Sequence, residues 1–101
     1  MHIHYISENN SILNHFLAEI RDVIIQKDSM RFRKNIERIG EIMAYELSKT
    51  LEYKAIEVQT PLGIKNTTTL ADNVVLCSIL RAGLALHTGF MNIFDNAENG
   101  F

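Results

Sequence analysis

Apolar residues recur at helical spacing twice in the first half of the chain. Leu13, Phe16, Leu17, Ile20 and Ile24 form one stripe, and Asn10 or Ser11 can cap it. The stripe predicts a helix over about 11–25, with Val23, Ile24 and Ile25 as an apolar end that needs covering. After the polar break Gln26-Lys27-Asp28-Ser29, apolar positions return at Phe32, Ile36, Ile39, Met43, Leu47 and Leu51. They predict a second helix over about 30–51, roughly 33 Å long, capped by Asp28 or Ser29. Gly40 falls mid-helix, where glycine costs about 1 kcal/mol against alanine. A close crossing by another helix or a sheet would explain it. The period then drops to two. Ile56, Val58 and Thr60 alternate with polar residues, Pro61-Leu62-Gly63 signals a turn, and Thr67, Thr68 and Thr69 carry a β bias. A hairpin arm of about 55–60 with about 64–69 follows. Ala71-Asp72-Asn73 leads into the run Val74-Val75-Leu76-Cys77-Ser78-Ile79-Leu80, which stops at Arg81. A continuous apolar run suits a strand buried on both faces, at about 74–80; a buried helix segment looks the same over so few residues, and the shortness and Val/Ile content favour the strand. A last helix over about 84–94 presents Leu84, Leu86, Phe90 and Phe94, and 95–100 reads as loop. At the other end, residues 1–7 alternate as a short extended arm, His2 and His4 opposite Ile3 and Tyr5.

Composition narrows the classes. With 101 residues and 47% hydrophobic content, the chain suits one small ordered domain. A net charge of −2 gives no global attraction for nucleic acid or anionic membrane. The basic start of the second helix, Arg31, Arg33, Lys34 and Arg38, is diluted by Glu37, Glu41 and Glu46 and reads as a solvated face rather than a nucleic-acid binder. The single cysteine, Cys77, excludes an internal disulfide and is expected as a buried inert thiol, in keeping with a reducing cytosol. No apolar segment reaches the roughly 18 residues of a membrane span, and no signal-peptide pattern opens the chain. His2 and His4 lack a third ligand nearby and read as a solvated terminus, and His15 as a packed or hydrogen-bonded side chain. A strand buried on both faces needs neighbours on both edges and helices on both sides. The sequence is therefore expected to be the first part of a longer α/β domain, or to be completed by another chain.

The candidate chemistry lies at the end of the apolar run. In open α/β sheets, ligands sit beyond the carboxyl ends of the strands. Arg81 would stand at such an end, and Ala82 and Gly83 leave room for close approach to the backbone. The amides that open a helix favour anions, and an arginine fork beside them suits phosphate or pyrophosphate. An ordinary strand-turn-helix with a surface arginine has the same spacing, and spacing alone does not choose.

Several stretches, in order, resemble the N-terminal half of uracil phosphoribosyltransferases. Ile20-Arg21-Asp22 is similar to the family's Leu-Arg-Asp, and Ser29-Met30-Arg31-Phe32-Arg33 to its Thr-x-x-Phe-Arg helix start. Met43-Ala44-Tyr45-Glu46 resembles its second-helix signature and Thr60-Pro61-Leu62-Gly63 its hairpin turn. Ile79-Leu80-Arg81-Ala82-Gly83-Leu84 resembles its pyrophosphate-loop motif, with Gly89 as its following glycine. Three departures stand out. Ser78 replaces the family's usual proline, Ala85 replaces a common glycine, and two extra residues lie between Asp22 and Ser29.

The resemblance implies an α/β fold: the N-terminal part of a phosphoribosyltransferase-type parallel sheet, with two N-terminal helices, a hairpin arm and one core strand-helix unit. It implies transfer of a phosphoribosyl group from phosphoribosyl pyrophosphate to uracil, giving UMP and pyrophosphate in pyrimidine salvage. Magnesium would accompany the donor, and the enzyme would be a cytoplasmic homo-oligomer without nucleic acid or membrane as partner. Arg81, Ala82 and Gly83 would bind the donor's pyrophosphate. The family's acidic Ala-Thr-Gly-Gly loop and its uracil-reading segment have no counterpart here, so no catalytic residue and no metal ligand is assigned, and the chain alone is expected to be inactive. The alternative is a phosphoribosyltransferase-like dimerisation or regulatory module without catalysis.

Overall fold

The computed structural model describes residues 3–79 and 83–100. Three helices and two small sheets follow one another along the chain. Helix α1 spans Ile12–Arg21, with Ser11 as its cap: the Ser11 hydroxyl accepts from the Leu13 amide at 3.2 Å. It ends short of the expected 25. Asp22 takes an extended conformation, and its carboxylate accepts from the amides of Ile24 (2.8 Å) and Ile25 (3.2 Å). This local turn satisfies the amides that a longer helix would have used. Val23 and Ile24 consequently lie exposed, and a single 3-10 turn, Ile25–Lys27, carries the chain onward.

Helix α2 spans Ser29–Ser48, capped by the Asp28 carboxylate on the Arg31 amide at 3.1 Å. Its most buried positions are Asn35, Ile39, Gly40 and Ala44. Of the expected face, Ile39 is buried whereas Phe32 and Leu47 are exposed, so the inner surface of α2 is rolled away from the predicted stripe toward Gly40 and Ala44. Helix α3, Leu84–Ile93, crosses α2 at that small-residue patch. A Cβ on Gly40 would lie 2.6 Å from the Leu86 carbonyl oxygen and 3.2 Å from the Gly89 Cα. One on Gly89 would run into the Glu37 carbonyl oxygen and sit 2.9 Å from the Glu41 amide nitrogen. The mid-helix glycine is explained by a helix-helix crossing in which backbone meets backbone.

Strands β1 (Tyr53–Thr60) and β2 (Gly63–Leu70) pair antiparallel in register from Tyr53–Leu70 to Thr60–Gly63, extending the expected hairpin at its base. Gly63 has a φ of +130°, which a side chain would strain. The Thr60 hydroxyl donates to the Gly63 carbonyl at 2.7 Å and accepts from the Leu62 amide at 3.3 Å, closing the turn. The hairpin contacts the helices only slightly and is exposed along most of both strands. The radius of gyration is 16.7 Å, against about 13 Å for a compact domain of this length.

The apolar run departs most from expectation. Its strand, β3, is short, Val75–Cys77, and is not buried on both faces: Val75 is 59% and Ile79 87% exposed, and the Cys77 thiol is exposed too. Residues 95–100, read as loop, contain strand β4, Glu98–Gly100, which runs parallel to β3. Glu-Asn-Gly has little strand propensity, so the ladder decides it. The Glu98 amide donates to the Val74 carbonyl and the Ser78 amide to the Gly100 carbonyl, both at 3.1 Å. Helix α3 is the crossover that a parallel pair requires.

Gly89→Ala is expected to lower stability by about 3 kcal/mol or more, because the obstructing atoms are backbone and cannot turn aside. Gly40→Ala gains about 1 kcal/mol of helix propensity yet is expected to end as a net loss against the Leu86 carbonyl. Denaturant midpoints of the two variants check this; wild-type stability for Gly89→Ala would mean the helices do not touch there.

Candidate functional site

Strand β3 ends at Cys77 and helix α3 begins at Leu84, on either side of the candidate stretch. Arg81 and Ala82 lie outside the described residues; Gly83, the third candidate, is described. It sits at the cap position of α3 with φ −81° and ψ −6°, and no side chain caps that end. Its amide donates to the Ile79 carbonyl at 3.0 Å, and its carbonyl accepts from the His87 amide at 2.8 Å. The Gly83 amide is therefore engaged within the turn. What glycine contributes here is the missing side chain, because a Cβ would fall 2.5 Å from the Ser78 hydroxyl and 3.0 Å from the Ile79 carbonyl.

A second feature escaped the apolar pattern. His87 is 7% exposed, whereas Leu84, expected inside, is 43% exposed. The inner face of α3 is turned toward His87 and Gly89 because Gly89 must meet α2. The His87 ring Nε2 shares a 2.8 Å hydrogen bond with Asn99 Oδ1 on β4. That bond ties the helix to the strand beside β3. Its sequence signal is a histidine directly after the apolar Leu84-Ala85-Leu86 that opens the helix.

The remaining sequence candidates are surface features. His15 lies 3.2 Å from Glu19, which also takes Arg31 at 2.9 Å. Arg38 stacks 5.3 Å from the Phe16 ring centre and donates to the buried Asn35 side-chain oxygen at 3.2 Å, so this cation of the basic face holds α1 to α2. Of the His2/His4 pair, His2 lies outside the described residues. Among the described residues no group of three or more His, Cys, Asp or Glu side chains could hold a metal ion. Among the described residues no helix is long and apolar enough to cross a membrane. A groove of about 930 Å³ runs between the N-terminal arm, α2 and α3 and is lined by residues such as Tyr5, Ile42, Tyr45 and Phe90. It does not include the turn before α3.

Comparison with known proteins agrees with this arrangement. The family model described as uracil phosphoribosyltransferase matches residues 6–101. The chain belongs to the uracil phosphoribosyltransferase family. A curated uracil phosphoribosyltransferase of Porphyromonas gingivalis is 50% identical over 101 residues, which cover all of this chain and 47% of that protein. One from Thermococcus gammatolerans is 37% identical over 98 residues, 95% of this chain and 43% of the relative. The solved structure of the AQ2163 protein from Aquifex aeolicus superposes with a TM-score of 0.77 at 28% identity, over 92% of this chain and 44% of that one. The chain spans about half the length of the curated relatives it matches. In uracil phosphoribosyltransferase terms, the described fold is an α/β arrangement of the kind expected for the family's N-terminal part.

Asn99→Ala leaves the His87 ring without its partner on β4. It is expected to lower stability by about 1 kcal/mol and to speed amide hydrogen exchange at Glu98 and Ser78, whose amides form the β3–β4 ladder. Unchanged exchange there would mean the bond does not hold the strand.

Proposed function

We propose that this chain forms the N-terminal part of a uracil phosphoribosyltransferase, which moves a phosphoribosyl group from phosphoribosyl pyrophosphate to N1 of uracil and releases pyrophosphate. The observation that carries the reading is 50% identity across the whole chain to a protein of that name. The stretch Ile79-Leu80-Arg81-Ala82-Gly83-Leu84 supports it, because its sequence resembles the family's pyrophosphate loop.

In this reading the new bond to the ribose forms as the bond to pyrophosphate breaks, and positive charge develops at the sugar. The protein's task is alignment and charge stabilisation. Arg81 neutralises the charge gathering on the leaving pyrophosphate; its guanidinium stays protonated and takes no part in proton transfer. Ala82 and Gly83, with little or no side chain, let the donor approach the backbone closely. Magnesium arrives as the donor's own chelate. Among the described residues no acidic cluster could hold it. Uracil recognition belongs to the part of the fold that the relatives carry beyond this segment.

The reading extends to assembly and location. The hairpin is exposed along most of both strands, and an isolated two-stranded hairpin is marginal in water. A second copy of the protein is the partner that would cover it, making a homo-oligomer. The substrates of pyrimidine salvage place the enzyme in the cytoplasm, where the lone Cys77 would stay reduced.

The full-length protein is expected to release pyrophosphate only when uracil is present. Arg81→Ala is expected to reduce kcat/KM by about a hundredfold or more. Undiminished turnover in that variant removes the role given to Arg81. Tight binding of the donor without turnover in the wild type favours a regulatory module instead.

A further inference from the structure

Exposed apolar surface gathers at two places on the helices, and the two carry opposite charge. The first is the connection between α1 and α2. Val23 is 73%, Ile24 74% and Met30 81% exposed. The Asp22 carboxylate accepts from the amides of Ile24 and Ile25, so this tip is held in a turn. Lys27 and Arg33 flank it; both are exposed, and neither enters an ion pair among the described residues. Arg31 and Lys34 beside them are paired with Glu19 and Glu37.

The second is the groove of about 930 Å³ between the N-terminal arm, α2 and α3. Tyr5 and Tyr45 on its walls are 66% and 58% exposed. Its carboxylates are Glu8, Glu41 and Glu46, and no lysine or arginine lines it. Glu8 enters no ion pair among the described residues; Glu41 accepts from Asn92 at 2.7 Å, and Lys49, outside the lining, offsets Glu46 at 3.2 Å. Tyr45 stands roughly 22 Å along α2 from Met30 at 1.5 Å per residue. A tip therefore does not reach the groove of its own copy.

We infer that the tip of one copy docks in the groove of another, Val23, Ile24 and Met30 covering the apolar walls while Lys27 and Arg33 face Glu8 and Glu46. Groove against groove, or tip against tip, would set like charges together. The two surfaces differ, so the contact is head-to-tail and continues into a ring or a chain. A tip already fixed by Asp22 loses little freedom on docking. The tip also holds the two residues by which this chain exceeds the family's pattern between Asp22 and Ser29. The contact goes beyond the hairpin interface proposed above and uses neither of its strands.

The test is sedimentation of the full-length protein, without substrates, from about 1 to 100 μM. Three double variants stand beside the wild type: a reversed tip (Lys27→Glu with Arg33→Glu), a reversed groove (Glu8→Lys with Glu46→Lys) and a polar tip (Val23→Ser with Ile24→Ser). Each is expected to weaken association about tenfold or more. A mixture of reversed tip and reversed groove is expected to associate again, to within about threefold of wild type, because each supplies the charge that the other has lost. Melting temperatures are expected near wild type, since these side chains lie at the surface. Association unchanged in both reversed proteins overturns the inference, as does a mixture that sediments no faster than its parts or a wild type that does not associate. A reversed groove that melts early at unchanged mass overturns it too, since the rest of the chain would then fill the groove. Association lost in Val58→Asp but kept in the reversed proteins leaves the hairpin as the interface and overturns it likewise. Uracil-dependent turnover is measured separately; its absence removes the enzymatic reading, while rescue in the mixture still upholds this contact.

Discussion

The contact on which the rest of this structure depends is the crossing of α2 and α3 at Gly40 and Gly89. No side chain separates the two helices there, and each glycine faces the other helix's backbone. Close approach lets short-range dispersion act between main chains, which compensates for a core poor in large side chains. Among the described residues the buried apolar side chains are few: Leu13, Ile39, Ala44 and Phe94. Ala44, fully enclosed, continues the narrow face of α2 beyond Gly40. The crossing fixes how α3 is rolled about its axis. That roll turns His87 inward to Asn99, and Asn99 holds β4 at the side of β3.

Polar groups do much of the remaining work of joining elements. Asn35 is completely enclosed within α2, and Arg38 binds its side-chain oxygen while lying over Phe16 of α1. Aliphatic stem, cation and ring thus share one contact, which is how an arginine can serve packing as well as charge. The exposed ion pairs along α2, Lys34 with Glu37 and Lys49 with Glu46, contribute little by comparison. The hairpin stands apart. It is tied at its base by the Glu52 amide to Asp72 and by the Tyr53 hydroxyl to the Ser48 carbonyl, both at 2.8 Å. Beyond that base its order comes from its own ladder and from the turn at Gly63.

The family relationship gives these features a direction. Strand β3, paired parallel to β4, and helix α3, held to α2 by backbone contact, form a frame on either side of the stretch that the proposed function assigns to the donor. Gly83 serves that frame through the absence of a side chain, since its amide is already bonded to Ile79. Ser78 stands where the family usually has proline, and in this chain it adds one ladder bond to β4 and one hydroxyl against Gly83.

What could be read from the residues in order was whatever depends on near neighbours. The caps at Ser11 and Asp28, the helical stripes of α1 and α2, and the glycine turn of the hairpin all rest on interactions within a few positions. The early stop of α1 at Asp22 is equally local, set by the aspartate's bonds to the amides of Ile24 and Ile25 although the apolar Val23-Ile24-Ile25 continues the helical pattern. Gly40 hinted at a crossing without naming its partner. Only the tertiary structure could supply Gly89 as that partner, turn His87 inward in place of Leu84, and make Glu98-Asn99-Gly100 a strand. Each of these depends on a residue far along the chain or on a ladder bond, and neither spacing nor propensity carries that information. The exposure of β3 has the same origin: an apolar run states what a segment can be buried against, and the neighbouring elements decide whether it is.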